Sequence, residues 1–170
     1  QSVKKHLFDR KLGGFRLNSD YKKPYLDLGR AFGFRYGEKE NGAFFSHMNV
    51  MFANALLRRG LIKEGLEALD SLYLMAASDK ALIYPLIPEY FNSQGKGQYL
   101  YLTGSASWYI YTILEQVLGL KFVLGKLILE PKLSAKSFAK KNSIKARINF
   151  MRKPVEIIYY KIGNNSCSLL

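Results

Sequence analysis

"SHMNVMFANALLRRGLIKEGLEALDSLYLM", residues 46–75, decides the fold class. Met48, Met51, Phe52, Ala55 and Leu56 recur at i, i+3, i+4, i+7 and i+8, which lays one apolar stripe along a helix. Arg58 and Arg59 give that helix a basic last turn and Gly60 a C′ residue free to take positive φ, so the helix ends there. A second helix follows at once. Ile62, Leu66, Leu69, Leu72 and Tyr73 share one face, and Lys63, Glu64, Glu67 and Asp70 occupy the other. So short a turn folds the pair into an antiparallel helical hairpin.

On the N-terminal side, residues 1–43 are rich in Gly, Tyr and charge without a helical period, which predicts extended segments and loops. On the C-terminal side, "YPLIPEYFNSQGKGQ" (84–98) is too interrupted by proline and glycine for regular structure. A third helix is expected from about Ser105 to Leu118, stopping at Gly119. Its apolar residues (Trp108, Ile110, Tyr111, Ile113, Leu114 and Val117 among them) cover most of its circumference and predict deep burial. Beyond Gly119 the period drops to two: Ala146, Ile148 and Phe150 alternate with Lys145, Arg147 and Asn149, and "VEIIYYK" (155–161) follows. These read as strands of an antiparallel sheet with one wet, basic face. The chain is therefore mainly α followed by β, with one domain over residues 1–120 and another over 121–170.

At 170 residues and 48% hydrophobic, there is enough apolar material for a folded core. The start at Gln1 and the finish on "SCSLL" suggest a piece of something longer. One cysteine, Cys167, can make neither an internal disulfide nor a zinc site, so a reduced, cytoplasmic setting is the default, with no metal. No apolar run approaches the roughly 18 residues of a membrane span. The net charge is +13, but residues 121–170 hold eleven Lys/Arg against two acids. That basicity is spread singly along strands, the pattern of a solvated sheet face rather than of a nucleic-acid site.

Three stretches carry candidate chemistry. In "TGSASW" (103–108), Thr103 and Ser105 are good N-cap residues, Gly104 admits a ligand close to the backbone, and a helix's first turn leaves amides unpaired. Such a turn favours phosphate, sulfate or carboxylate; the plain alternative is an ordinary cap. "YGEKENGAFFSHMN" (36–49) gathers Glu38, Glu40, Asn41, His47 and Asn49 ahead of the first long helix, with His47 one of two histidines. A satisfied structural imidazole is the plain alternative there. "IPEYFNSQGKG" (87–97) brings Glu89, Tyr90, Asn92 and Gln94, side chains suited to sugar hydroxyls or equally to a solvated loop.

"ENGAFFSHMN", "IPEYFN", "YLTGSASW" and "VLGLKFVLGKLILEPKL", in this order, resemble the C-terminal portion of the glycoside hydrolase family 94 phosphorylases over roughly residues 12–133. Within that family the chain is most similar to the 1,2-β-oligoglucan phosphorylases and the phosphorylase part of cyclic β-1,2-glucan synthases. The resemblance implies the last helices of an (α/α)6 barrel followed by the start of a C-terminal antiparallel β-sandwich. It implies a reaction in which inorganic phosphate attacks the anomeric carbon of a β-linked glucosyl unit, releasing α-glucose 1-phosphate with inversion. His47, Thr103 and Gly104 correspond to phosphate-binding positions, with Ser105 adjacent, and Glu40 and Glu89 lie in motifs that line sugar subsites. The expected partners are a β-gluco-oligosaccharide and inorganic phosphate as co-substrate, with no other cofactor, no nucleic acid and no membrane; a homodimer would suit the family. The family's general acid lies in an Asp-Trp-Asn-Asp-like motif that is absent here, where Trp108 is the only tryptophan. The chain is thus expected to supply the phosphate site, to take its acid from upstream and to be inactive alone. A carbohydrate-binding or interaction module without catalysis is the alternative.

Overall fold

The computed structural model describes residues 1–100, 104–139, 141–162 and 166–169, with side chains through Lys161. A short helix α1 (Ser2–Leu7) leads into the two-residue strands β1 (Phe8–Asp9) and β2 (Gly14–Phe15), which pair antiparallel. Helix α1 departs from the expectation of extended segments and loops before residue 43; it buries none of its residues and so carries no apolar period to read. Two 3₁₀ turns, Leu26–Leu28 and Arg30–Gly33, cross the following loop. Strand β3 (Phe44–Phe45) then runs directly into α2 (Ser46–Arg58), and α3 (Ile62–Ala76) turns back against it.

The hairpin forms where the sequence predicts it, but α2 is rotated relative to the expected stripe. Its buried residues are Ser46, Asn49, Val50, Ala53, Asn54 and Leu57, whereas Met51 is 48% exposed and Ala55 lies in solvent. Polar side chains displaced the apolar stripe because they have partners inside: Asn49 Nδ2 donates to the Phe15 and Phe45 carbonyls, and Asn54 Nδ2 to Thr112 Oγ1 at 3.0 Å. On α3 the buried set is Gly65, Ala68, Leu69, Ser71, Leu72, Met75 and Ala76, with Tyr73 turned outward. Gly65 permits the close crossing, since a Cβ there would sit 2.6 Å from Leu57 Cγ.

Strands β4 (Tyr90–Phe91) and β5 (Gly97–Gln98) complete a three-stranded antiparallel sheet in the order β3-β4-β5, inside the stretch read as irregular. Main-chain pairing, indifferent to sequence pattern, is what makes strands of such short segments. Helix α4 (Gly104–Tyr111) continues as a π-helical segment, Thr112–Val117, close to the expected span. It is not deeply buried all round: Ile110, Tyr111 and Leu114 are exposed, and the buried side is Ser105, Thr112 and Gln116. Here too the inward face is the polar one.

After Gly119 come the hairpin β6 (Leu120–Val123) and β7 (Lys126–Leu129), then β8 (Ser143–Phe150), β9 (Lys153–Ile162) and β10 (Ser166–Leu169) in the antiparallel order β10-β9-β8. Lys145, Arg147 and Asn149 face water while Ala146 is buried, the alternation that the sequence predicts. The sheet packs over Leu120, Leu133, Phe138, Ile157 and Tyr159, and the Tyr159 hydroxyl donates to the Leu118 carbonyl at 2.8 Å. A separate core around Phe44, Val50, Leu72, Met75 and Phe91 sits beneath β3, β4 and the start of α2.

Candidate functional site

Two loops and two helix starts converge at the end of the β3-β4-β5 sheet. Strand β3 delivers the chain into α2, and the Ser46 amide donates to the Glu89 carbonyl at 2.9 Å, fixing the start of α2 to the start of β4. The Glu89 amide in turn donates to the Tyr99 carbonyl at 3.2 Å. Residues 45–47, 89–90 and 99 are thereby neighbours although distant in sequence.

His47, the second residue of α2, lies against the first residue of α4. A Cβ built on Gly104 would stand 3.1 Å from His47 Cε1, 3.5 Å from Nδ1 and 3.7 Å from Nε2. One turn further along α4, the Trp108 ring is 5.9 Å from the imidazole, centre to centre, so the imidazole packs against the same stretch of helix at two points. A Cβ at 104 would make this contact tighter than ordinary, so glycine there lets the imidazole approach without shifting.

Side-chain atoms that are buried and lack a hydrogen-bond partner among the described residues are Ser46 Oγ, His47 Nε2 and Asn49 Oδ1. All three belong to the first turn of α2. An unpaired buried polar atom costs about 1–3 kcal/mol, and these three lie within four residues at the start of α2. The first turn of α4, which the imidazole touches, offers amides and the positive end of a helix dipole. Ser105 is fully buried in that turn. Thr103 lies outside the described residues.

Beside this pair is a cleft of about 300 Å³ lined by Arg30, Lys39, Glu40, Phe45, Glu89, Tyr90 and Tyr99. It brings together Glu40 and Glu89, the two carboxylates that the family resemblance points to, and adds two cations and an aromatic wall. Phe45 and Tyr90 stack at 6.3 Å, and Tyr90 and Tyr99 meet at 5.9 Å. Lys39 Nζ lies over the Phe34 and Tyr99 rings at 4.9 and 5.3 Å. The Tyr90 hydroxyl donates to Glu38 Oε2 at 3.1 Å; burial first, and then this carboxylate, push the phenol up to about 12. His47 and Gly104 are not part of the cleft lining; the chain from Phe45 to His47 links the two places.

Other polar residues of the same stretches build the scaffold. Asn92 Oδ1 accepts from the Gln94 and Lys96 amides and so closes its own turn, and Asn41 Nδ2 donates to the Phe34 carbonyl at 2.6 Å. Sequence reasoning passed over Arg30, Lys39 and Tyr99; the signal available was their interleaving with aromatics in "GRAFGFRYGEK" and "GQYLY". None of the five aspartates lines the cleft. No group of three or more His, Cys, Asp or Glu capable of holding a metal occurs among the described residues. No helix among them is long and apolar enough to cross a membrane.

Comparison with known proteins follows the same direction. A search of curated proteins finds no match. The family model described as "Glycosyl hydrolase 94 superfamily, catalytic domain" matches residues 1–119, a span that contains both helix starts and the whole cleft. The chain belongs to the glycosyl hydrolase 94 superfamily, and these 119 residues are part of its catalytic domain.

Proposed function

We propose that this chain supplies the phosphate half-site and part of the glucosyl-binding wall of an inverting phosphorylase. The enzyme would cleave β-linked gluco-oligosaccharides, with the β-1,2 linkage the first to test, and release α-glucose 1-phosphate. The observation that carries the reading is the buried, unpartnered His47 Nε2 on an imidazole packed against the opening of α4. Phosphate would take its hydrogen bonds from that imidazole and from the first-turn amides at Gly104, with Thr103 and Ser105 adding hydroxyls. Glu40 and Glu89 would accept from sugar hydroxyls in the neighbouring cleft.

The reaction asks little more of these residues. A phosphate oxygen forms the new bond to the anomeric carbon as the bond to the bridging oxygen breaks, and that oxygen must receive a proton. Phosphate is already anionic, so no general base is required, only donors that hold it in line. The acid is the missing part, since the Asp-Trp-Asn-Asp-like motif is absent from these 170 residues. In this reading α2, α3 and α4 belong to the last helices of an (α/α)6 barrel, and the strands after Gly119 open a C-terminal β-sandwich.

The test is calorimetric titration of the protein with inorganic phosphate, alongside His47→Ala. Saturable binding that His47→Ala abolishes supports the site; absence of binding, or binding indifferent to His47→Ala, overturns it. A parallel assay with β-1,2-gluco-oligosaccharide and phosphate is expected to show no glucose 1-phosphate from this chain alone, and its formation would refute the missing-acid argument.

A further inference from the structure

We infer that Arg16, with Asn18, is a positioning residue that holds the two walls of the cleft at their working separation. Neither residue lines the cleft. Arg16 lies just past β2 with its side chain only 14% exposed, and its guanidinium is used in nearly every direction. Nε and Nη2 both donate to Asp9 Oδ2, at 3.1 and 2.8 Å. Nη1 donates to the Gly42 carbonyl at 2.8 Å and to Ser93 Oγ at 3.2 Å. The guanidinium also lies over the Phe44 and Tyr36 rings, at 4.5 and 5.3 Å.

The two Nη1 contacts reach the two segments that supply Lys39 and Glu40, and Glu89 and Tyr90, to the cleft. Gly42 is two residues beyond Glu40 and three beyond Lys39, which line one wall; Ser93 is three residues beyond Tyr90 and four beyond Glu89, which line the other. Asn18 completes the hold on the first wall: its Oδ1 accepts from the Gly42 amide at 2.7 Å, and its Nδ2 donates to Asn41 Oδ1 at 3.1 Å. The Gly42 residue is thus gripped at both its N–H and its C=O. Nothing larger than glycine fits, since a Cβ would come within 2.1 Å of the Tyr36 ring, and the Tyr36 hydroxyl is itself bonded to the Asn18 carbonyl.

Asp9 in turn fixes Arg16. Its other oxygen accepts from the Lys11 and Leu12 amides at 3.0 and 3.1 Å, which fixes the direction of the carboxylate. A lysine could supply the charge but not the planar fork that spans Asp9, Gly42 and Ser93 together. His47 is held in addition by main-chain contacts that the guanidinium does not itself make, the β3–β4 pairing and the Asn49 bonds to the Phe15 and Phe45 carbonyls. Loosening Arg16 should therefore disturb the sugar wall more than the phosphate donors.

This inference rests on the proposed reading of the cleft as a glucosyl site, and the test separates the two. The protein, Arg16→Lys and Asn18→Ala are titrated by NMR with glucose and, separately, with inorganic phosphate. Ile157→Val, in the distant core under the strands, is the control for lowered stability. The expected result is a loss of glucose affinity of roughly tenfold or more in Arg16→Lys and a smaller loss in Asn18→Ala, with phosphate affinity little changed. Ile157→Val should lower Tm and leave both affinities unaltered. Glucose binding equal in all four proteins, or glucose and phosphate affinities falling in parallel, overturns the positioning role. A parent protein that binds phosphate but no glucose overturns the reading of the cleft, and the inference with it. If Arg16→Lys does not fold, Asn18→Ala decides alone, because it removes the acceptor for the Gly42 amide and the donor to Asn41 and leaves the Arg16–Asp9 ion pair intact.

Discussion

Gly104→Ala should separate stability from binding, because its two consequences have opposite signs. Position 104 opens α4, where alanine is favoured over glycine by up to about 1 kcal/mol from backbone propensity. The new methyl would stand 3.1 Å from His47 Cε1, tighter than ordinary contact, so the imidazole must withdraw by a few tenths of an ångström. Folding stability is therefore expected to change little, the propensity gain offsetting the contact. Phosphate, by contrast, would meet a methyl at the point where it should meet an amide, and would lose its hydrogen bond from the displaced imidazole. A hydrogen bond to a charged ligand is worth about 1.5–3 kcal/mol, which corresponds to a loss of roughly 10- to 150-fold in affinity. Denaturant unfolding and calorimetric phosphate titration on the same preparation read both quantities. Unchanged phosphate affinity in Gly104→Ala would refute the reasoning, as would loss of affinity that merely tracks unfolding.

Leu57→Ala removes a fully buried side chain from the crossing of α2 and α3 and should cost about 2–5 kcal/mol by urea denaturation. For Asp9, burial raises the carboxyl's pKa, but the hydrogen bond from Arg16, the Leu12 and Lys11 amides and the guanidinium charge outweigh it and leave it below the ordinary 3.8. Its contribution to stability is thus complete above that value and is lost as pH falls through the lower folded pKa; Asp9→Asn should flatten the acid limb of a stability-versus-pH curve. Tyr90 has the opposite sense. Between the ordinary 10.0 and about 12 the folded protein keeps a proton that the unfolded chain releases, so stability falls as pH rises through that interval, and Tyr90→Phe should reduce the fall. Ultraviolet titration of the phenolates should show one high-pH component missing in that variant.

The helical hairpin was legible because its length and its basic, glycine-capped end are local properties of residues 46–75. The face it buries was not, since a periodicity of apolar residues is blind to partners: Asn49 and Asn54 are inside because Phe15, Phe45 and Thr112 wait for them. The same blindness over-buried α4, whose Ile110 and Leu114 are exposed while Thr112 and Gln116 are not. In the sheet region the expectation held at Lys145, Ala146 and Arg147, because strand alternation needs no knowledge of a partner helix. His47 and Gly104 stand in the stretches that resemble the family's motifs, but their contact joins residues 57 positions apart and only the fold brings it about. That Glu40 and Glu89 line one cleft is likewise a product of the fold, and Arg16 in "GGFRLN" reads as a surface charge until Asp9, Gly42 and Ser93 are seen around it.

The most direct measurement is an NMR titration of histidine- and glycine-labelled protein with inorganic phosphate, following the His47 ring nitrogens and the Gly104 amide together. If the imidazole and the α4 amide grip one anion, both signals move along a single saturation curve, and His6, the other histidine, does not. Stationary signals at both positions, or movement of one without the other, would contradict the account.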